Sequence, residues 1–201
     1  MLARRSEARI ALDIPFRGAR DYVHSTDLFA ALDELSGSLL GPGAYLKSLT
    51  LRRRAYRSVA ARFRPDPDAF GTFTFAASQW VVEGWLAEDP TPINRRIAFD
   101  EASIAQQAIC GQGRVLLQSP VAGYDPFEQL IVLFKMLCAQ SHPGSWLFTS
   151  IALDQPLSRQ AALSVTRTQL VLGRMVEAVL SQNDVPAGRI QMVRSATGGA
   201  A

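Results

Sequence analysis

The chain is short of the residues that announce common chemistries: two cysteines and two histidines in 201 residues. Cys110 and Cys138 fit neither a metal-ligand spacing nor a disulfide framework, and Cys138 sits in an apolar run, where it reads as a packed thiol. No apolar stretch reaches the roughly 18 residues of a membrane-spanning helix. The N-terminal MLARRSEAR is charged, but no apolar segment follows it, so the expectation is no secretory signal and a cytoplasmic location. There is no Gly-x-Ser-x-Gly, no P-loop, no dinucleotide-binding glycine pattern and no metal-binding cluster. These gaps remove the common cofactor classes from the front rank. Neither a cofactor nor a metal is expected, and no membrane partner.

Charge of one sign is also scarce, with a net of only +3. The basic residues that cluster are Arg52-Arg53-Arg54, with Arg57, Arg62 and Arg64 downstream. In a nucleic-acid binder such a stripe would contact phosphates. Here the arginines lie among strand formers with few aromatic stacking partners, and acidic groups are spread along the rest of the chain. That argues against nucleic acid. A solvated strand face fits better, and a docking surface for an anionic carrier or cofactor phosphate lies between the two.

What is plentiful is apolar residue, 48% of the chain, enough to bury a core as one large domain or two small ones. The stretch Tyr124 to Gln140 stands out. Between Leu130 and Ala139 only Lys135 is charged, and apolar residues occupy every side of a helical wheel. A surface helix keeps a polar half, so this one is expected to be buried nearly all round. Asp125 and Pro126 suit its start, and His142-Pro-Gly its stop. Such a helix needs a wrapper, and the β-rich segments elsewhere supply one.

In chain order, residues 9–16 alternate as a strand, and a helix capped by Ser25, Thr26 or Asp27 runs to about Leu40. Strands follow at 45–53, 58–65, 71–77 and 80–88, the last two flanking a hairpin at Ser78-Gln79. Another strand is read at RRIAFDE, and a short helix or connector at 102–113. A strand at 114–120 leads to the apolar helix, and strands cover most of 146–193. The halves repeat at a spacing of about 95 residues. Asp27-Leu-Phe29 is echoed by Asp125-Pro-Phe127, Tyr45-Leu46 by Trp146-Leu147, Val82-Glu83 by Val176-Glu177, and Arg96-Ile97 by Arg189-Ile190. The domains are drawn at 1–105 and 106–195, with a disordered tail at 196–201.

One apolar helix followed by a long antiparallel meander, present twice, resembles the double form of the hotdog fold, an α+β architecture in which a curved sheet wraps a central helix. The dehydratase pattern of His, Phe, Pro and Gly ahead of the helix is absent, and Tyr22-Val-His24-Ser-Thr-Asp27 stands there instead. A weaker similarity is to hotdog proteins of the A-factor synthase type. The resemblance implies chemistry on acyl thioesters of coenzyme A or acyl carrier protein: dehydration, hydration or hydrolysis in fatty-acid, polyketide or secondary metabolism. It implies a histidine before one helix and a carboxylate on another. The matching positions are His24 and either Glu128 or Asp125. A neutral imidazole can remove an α-proton, and a half-buried carboxylic acid can protonate a leaving hydroxyl.

Each candidate has a plainer role beside the chemical one. His24 is a general base or a locally bonded residue at a helix start. Asp27 and Asp125 are catalytic acids or helix caps, and Glu128 is an acid or a complement to the helix dipole. Tyr124 could donate to a thioester carbonyl or act as a hydrophobic staple. Arg17 and Arg20 could hold a phosphopantetheine phosphate or carry solvated charge. The rival to an enzyme is a non-catalytic hotdog-like module binding a ligand or a partner in a biosynthetic complex. A duplicated unit could be complete in one chain or pair again as a homodimer.

Overall fold

Period-two alternation shapes the first of two units, Met1–Phe99 and Asp100–Ala201, into which the chain divides. The computed structural model describes residues 9–195, and the tail expected at 196–201 lies outside them. The first unit runs β1 (Arg9–Leu12), β2 (Phe16–Arg17), α1 (Ser25–Leu40), β3 (Tyr45–Leu51), β4 (Val59–Arg62), β5 (Gly71–Ala77), β6 (Trp80–Glu88) and β7 (Arg96–Ile97). In β5 the residues Gly71, Phe73, Phe75 and Ala77 are buried while the intervening ones are half-exposed. That pattern puts one face on the core. The antiparallel order is β1-β4-β6-β5-β3, and α1 packs on β3 and β5 through Leu28, Phe29 and Leu32.

Residues 9–16 read as one strand, but the pairing with β4 stops at Leu12. Pro15, which has no N–H to donate, falls in the gap, and Phe16 resumes with a different partner. There β2 pairs in parallel with β7, Phe16 opposite Arg96 and Arg17 opposite Ile97. The strand expected at RRIAFDE shrinks to those two residues.

The second unit contains α2 (Ala102–Ala105), β8 (Ile109–Gly111), β9 (Arg114–Leu117), α3 (Pro126–Ser141), β10 (Trp146–Leu153), β11 (Leu163–Val171), β12 (Met175–Gln182) and β13 (Val185–Arg194). Its antiparallel order is β10-β13-β12-β11-β9-β8. The unit starts ahead of α2 rather than after it because Ile104 is fully buried and Glu101 pairs with Lys135 of α3. Helix α3 is buried almost all round, from Pro126 through Phe134 and again at Leu137 and Cys138. It packs on β9, β11 and β12. Each buried leucine or phenylalanine contributes about 1.5–3 kcal/mol, so this one helix supplies a large share of its unit's hydrophobic stabilisation. No helix among the described residues is long and apolar enough to cross a membrane.

Both units are therefore α+β, a helix wrapped by an antiparallel sheet, and the fold is a double hotdog. In each, the first strand after the helix has a register shift near its start, at Leu46/Ser48 in β3 and Phe148/Ser150 in β10. Such bulges increase local twist and help a sheet curl round a helix. Both helices are 16 residues long, and Ser25 precedes Tyr45 by the same step as Pro126 precedes Trp146. In that register His24 corresponds to Asp125 and Asp27 to Glu128, so the echoed Asp-x-Phe triplets are out of step by one helical turn. The wiring also differs. The strand beside β4 is the last of the first sheet's meander, whereas the one beside β11 is the middle of three.

Gly84 lies opposite Phe73 across β5 and β6, and a Cβ placed there would come 2.1 Å from Phe73 Cζ. The ring fills the space that a side chain would need. Gly84→Ala is expected to destabilise the protein by about 1–3 kcal/mol, the usual cost of overpacking, as measured by urea unfolding.

Candidate functional site

The two helix starts are built from different chemistry. At α3 the solution is self-contained. Asp125 is the N-cap, and its Oδ1 accepts from the Phe127 N–H at 2.9 Å. The Asp125 N–H donates back to Glu128 Oε2 at 3.1 Å, completing a capping box. Asp125 Oδ2 also faces Arg159 at 3.4 Å on the surface. Gln129, 1% exposed, ties down the approach to the helix: its Oε1 accepts from Val121 N–H and its Nε2 donates to the Tyr124 carbonyl. Tyr124 is half-buried at this entry.

At α1 the N-cap is His24, with extended backbone, and its side chain makes no cap bond. The imidazole is 5% exposed, with Nδ1 2.7 Å from Thr26 Oγ1 and its ring 5.4 Å from that of Phe99. Ser25, Thr26 and Asp27 are buried with it. A helix of propensity alone would not bury four polar residues in succession at its start. This is the most polar buried stretch of the first unit.

Phe99 is the platform of that stretch. The Arg17 and Arg20 guanidinium carbons both lie 5.0 Å from its ring centroid, while His24 takes a tilted position against it. Arg17 Nε is 2.7 and 2.8 Å from the two oxygens of Asp27, and both side chains are largely buried. The Asp27 carboxylate is thereby held in an ion pair. Arg96, opposite Phe16 in the small ladder, donates to the carbonyls of Gly18 and Arg20 and so pins the turn that follows Arg17 and carries Arg20. Gly18 adopts φ +54 there, a conformation glycine takes without strain.

The structure thus gathers His24, Asp27, Arg17 and Arg20 within the first unit, and Tyr124, Asp125 and Glu128 within the second. Sequence reasoning missed Phe99 and Arg96. The signal was weak: an Arg-Arg-Ile-Ala-Phe run that alternates like any strand. Among the described residues no cluster of His, Cys, Asp and Glu could hold a metal ion. Cys138 is no nucleophile at neutral pH. Burial pushes its thiol up to about 12, outweighing the downward pull of Arg167.

No protein-family model matches the chain, and no curated protein is significantly similar to it. Among solved structures it is similar to the pyran synthase domain from module nine of the sorangicin pathway, at 13% identity over 94% of this chain and 95% of that one, TM-score 0.51. It is also similar to a tesB protein of Mycobacterium avium subs paratuberculosis, at 13% identity over 90% and 91%, TM-score 0.49. A third is the dehydratase domain of PpsC from Mycobacterium tuberculosis in complex with C12:1-CoA, at 8% identity over 93% and 92%, TM-score 0.49. At 13% identity the likeness to the pyran synthase domain is one of fold alone.

Two outcomes test this geometry. Asp125→Ala removes a side-chain cap and should cost about 1 kcal/mol in chemical denaturation, whereas Asp125→Ser should recover most of it. With a thiol reagent at pH 8, the exposed Cys110 should label at once and Cys138 only on unfolding.

Proposed function

We propose that the chain acts on acyl thioesters of coenzyme A or acyl carrier protein, with His24 as general base and dehydration of a 3-hydroxyacyl group as the reaction. The observation that carries this reading is the buried imidazole at the start of α1, held at Nδ1 by Thr26 and at its face by Phe99. In the tautomer whose Nδ1 donates to Thr26 Oγ1, the imidazole lone pair is on Nε2, as a base requires. The first-turn amides of α1 carry the positive end of the helix dipole, and the cap side chain does not close them.

In the proposed step, Nε2 takes the α-proton, and the released electron pair forms the enolate. Its charge collects on the thioester oxygen, where helix amides can stabilise it. The imidazolium then returns the proton to the C3 hydroxyl, which leaves as water as the C2–C3 double bond forms. Run backwards, the same steps hydrate an enoyl thioester. Asp27 and Arg17, paired beside the imidazole, would hold the wall of the site rather than exchange protons.

A second reading, a non-catalytic module that binds such thioesters, has its own support. Asp27 is engaged by Arg17, and Asp125 and Glu128 share a capping box, so the carboxylates expected as acids all have structural work. Mass spectrometry on 3-hydroxyacyl, enoyl and saturated thioesters of both carriers separates the readings. Wild type should yield a product lighter by one water, and His24→Ala should lose about 10²–10⁴-fold in rate. Thermal stabilisation by coenzyme A derivatives with no turnover would establish the binding module instead. Glu128→Gln keeps an acceptor for the Asp125 amide; turnover that survives it leaves the cap as that side chain's role.

A further inference from the structure

The connection between β3 and β4 holds a cationic surface that the proposed chemistry does not use. Arg52 and Arg57 are exposed, Arg54 is half-buried, and Tyr56 between them is 51% exposed. Among the described residues no ion pair engages Arg52, Arg54 or Arg57. Arg54 Nε is buried without a hydrogen-bond partner, its guanidinium lying 4.3 Å from the Tyr22 ring centroid.

The loop is anchored from beneath. Glu88, the last residue of β6, accepts from Arg53 Nη1 at 2.5 Å and from the Tyr56 N–H at 2.6 Å. Burial alone would raise the Glu88 carboxyl, but the Tyr56 amide, Arg53 and the Arg57 amide together hold it below its ordinary value. Glu88 is thus consumed in shaping the loop, and Arg53 with it, while Asp89, whose N–H donates to the Ser58 carbonyl, is paired with Arg9. Asp21, exposed, is the other carboxylate close in sequence to Tyr22. The surface keeps an excess of positive charge.

Its position matters. The Val23 N–H donates to the Ala55 carbonyl at 2.8 Å, and Arg54 covers Tyr22. The loop is therefore stitched to the two residues that precede His24. We infer that residues 52–57 form the docking surface for an acidic carrier protein that delivers its thioester to His24. This rests on the proposed function. Arginines dispersed around an exposed tyrosine suit a broad acidic surface, since arginine and tyrosine are the side chains interfaces enrich. The phosphates of coenzyme A would call instead for guanidiniums converging on one point. Opposed charges of this kind act mainly on the rate of encounter and are screened by salt.

The test uses the full chain and the double variant Arg52→Glu/Arg57→Glu, both positions exposed and outside the proposed catalytic cluster, with circular dichroism to verify folding. Binding of phosphopantetheinylated, non-acylated acyl carrier protein is measured by calorimetry at low and high salt. Turnover of the same acyl group on carrier protein, on coenzyme A and on pantetheine runs in parallel. The expected result is a loss of about tenfold or more in carrier-protein affinity and in kcat/KM for the protein-borne substrate, with the coenzyme A and pantetheine substrates unchanged. Equal losses on coenzyme A would assign the arginines to its phosphates and overturn the proposal. So would carrier-protein binding that is absent in wild type or unchanged in the variant, or salt-sensitive binding of a single-stranded RNA homopolymer in its place. Because calorimetry needs no turnover, a catalytically silent protein that still loses the carrier on charge reversal would sink the catalytic reading and leave the docking surface standing.

Discussion

A helix whose first turn is buried must satisfy its own first amides, because water cannot reach them. That constraint governs both halves of this protein. In α3 the sequence answers with Asp125 and Glu128, each side chain serving the other's backbone. The helix start is closed and the remaining length can be almost wholly apolar. In α1 the equivalent positions hold His24 and Asp27, and the His24 side chain makes no cap bond. Asp27 is drawn to Arg17 and His24 to Thr26. One helix start is finished as structure, and the other is a buried polar cluster supported by a loop, a small parallel ladder and an aromatic platform.

This division explains how much of the molecule could be read from its residues. The apolar face of α3 needs no partner to identify it, since composition alone excludes a solvent-facing helix, and the hairpin at Ser78-Gln79 is marked by alternation on both sides. Helix α1 was legible from the capping residues Ser25 to Asp27 ahead of leucines at helical spacing. The surroundings of His24 were not. The Arg17–Asp27 pair joins residues on β2 and α1, and Phe99 and Arg96 arrive from the far end of the unit. Short-range periodicity carries no information about such meetings. Register was only partly legible too: the matching triplets at Asp27 and Asp125 suggested equivalence, while the cap geometry aligns Asp125 with His24.

The arginine stripe shows the converse. Its composition was plain in the sequence, and its meaning depended on what each guanidinium meets. Arg53 is spent on Glu88 and Arg62 on Asp66, while Arg54 leans on Tyr22. What remained was a smaller, oriented surface next to the buried histidine rather than a continuous ladder of positive charge.

The difference in strand wiring reaches into how the chain folds. In the second unit three pairings, β8–β9, β11–β12 and β12–β13, join consecutive strands through tight turns. In the first only β5–β6 does so, and β4 must bridge across the whole hairpin to reach β6. Closing a longer loop costs entropy before any contact repays it, so chains rich in distant pairings fold more slowly. The half that leaves the ribosome first is therefore the one with fewer local steps open to it.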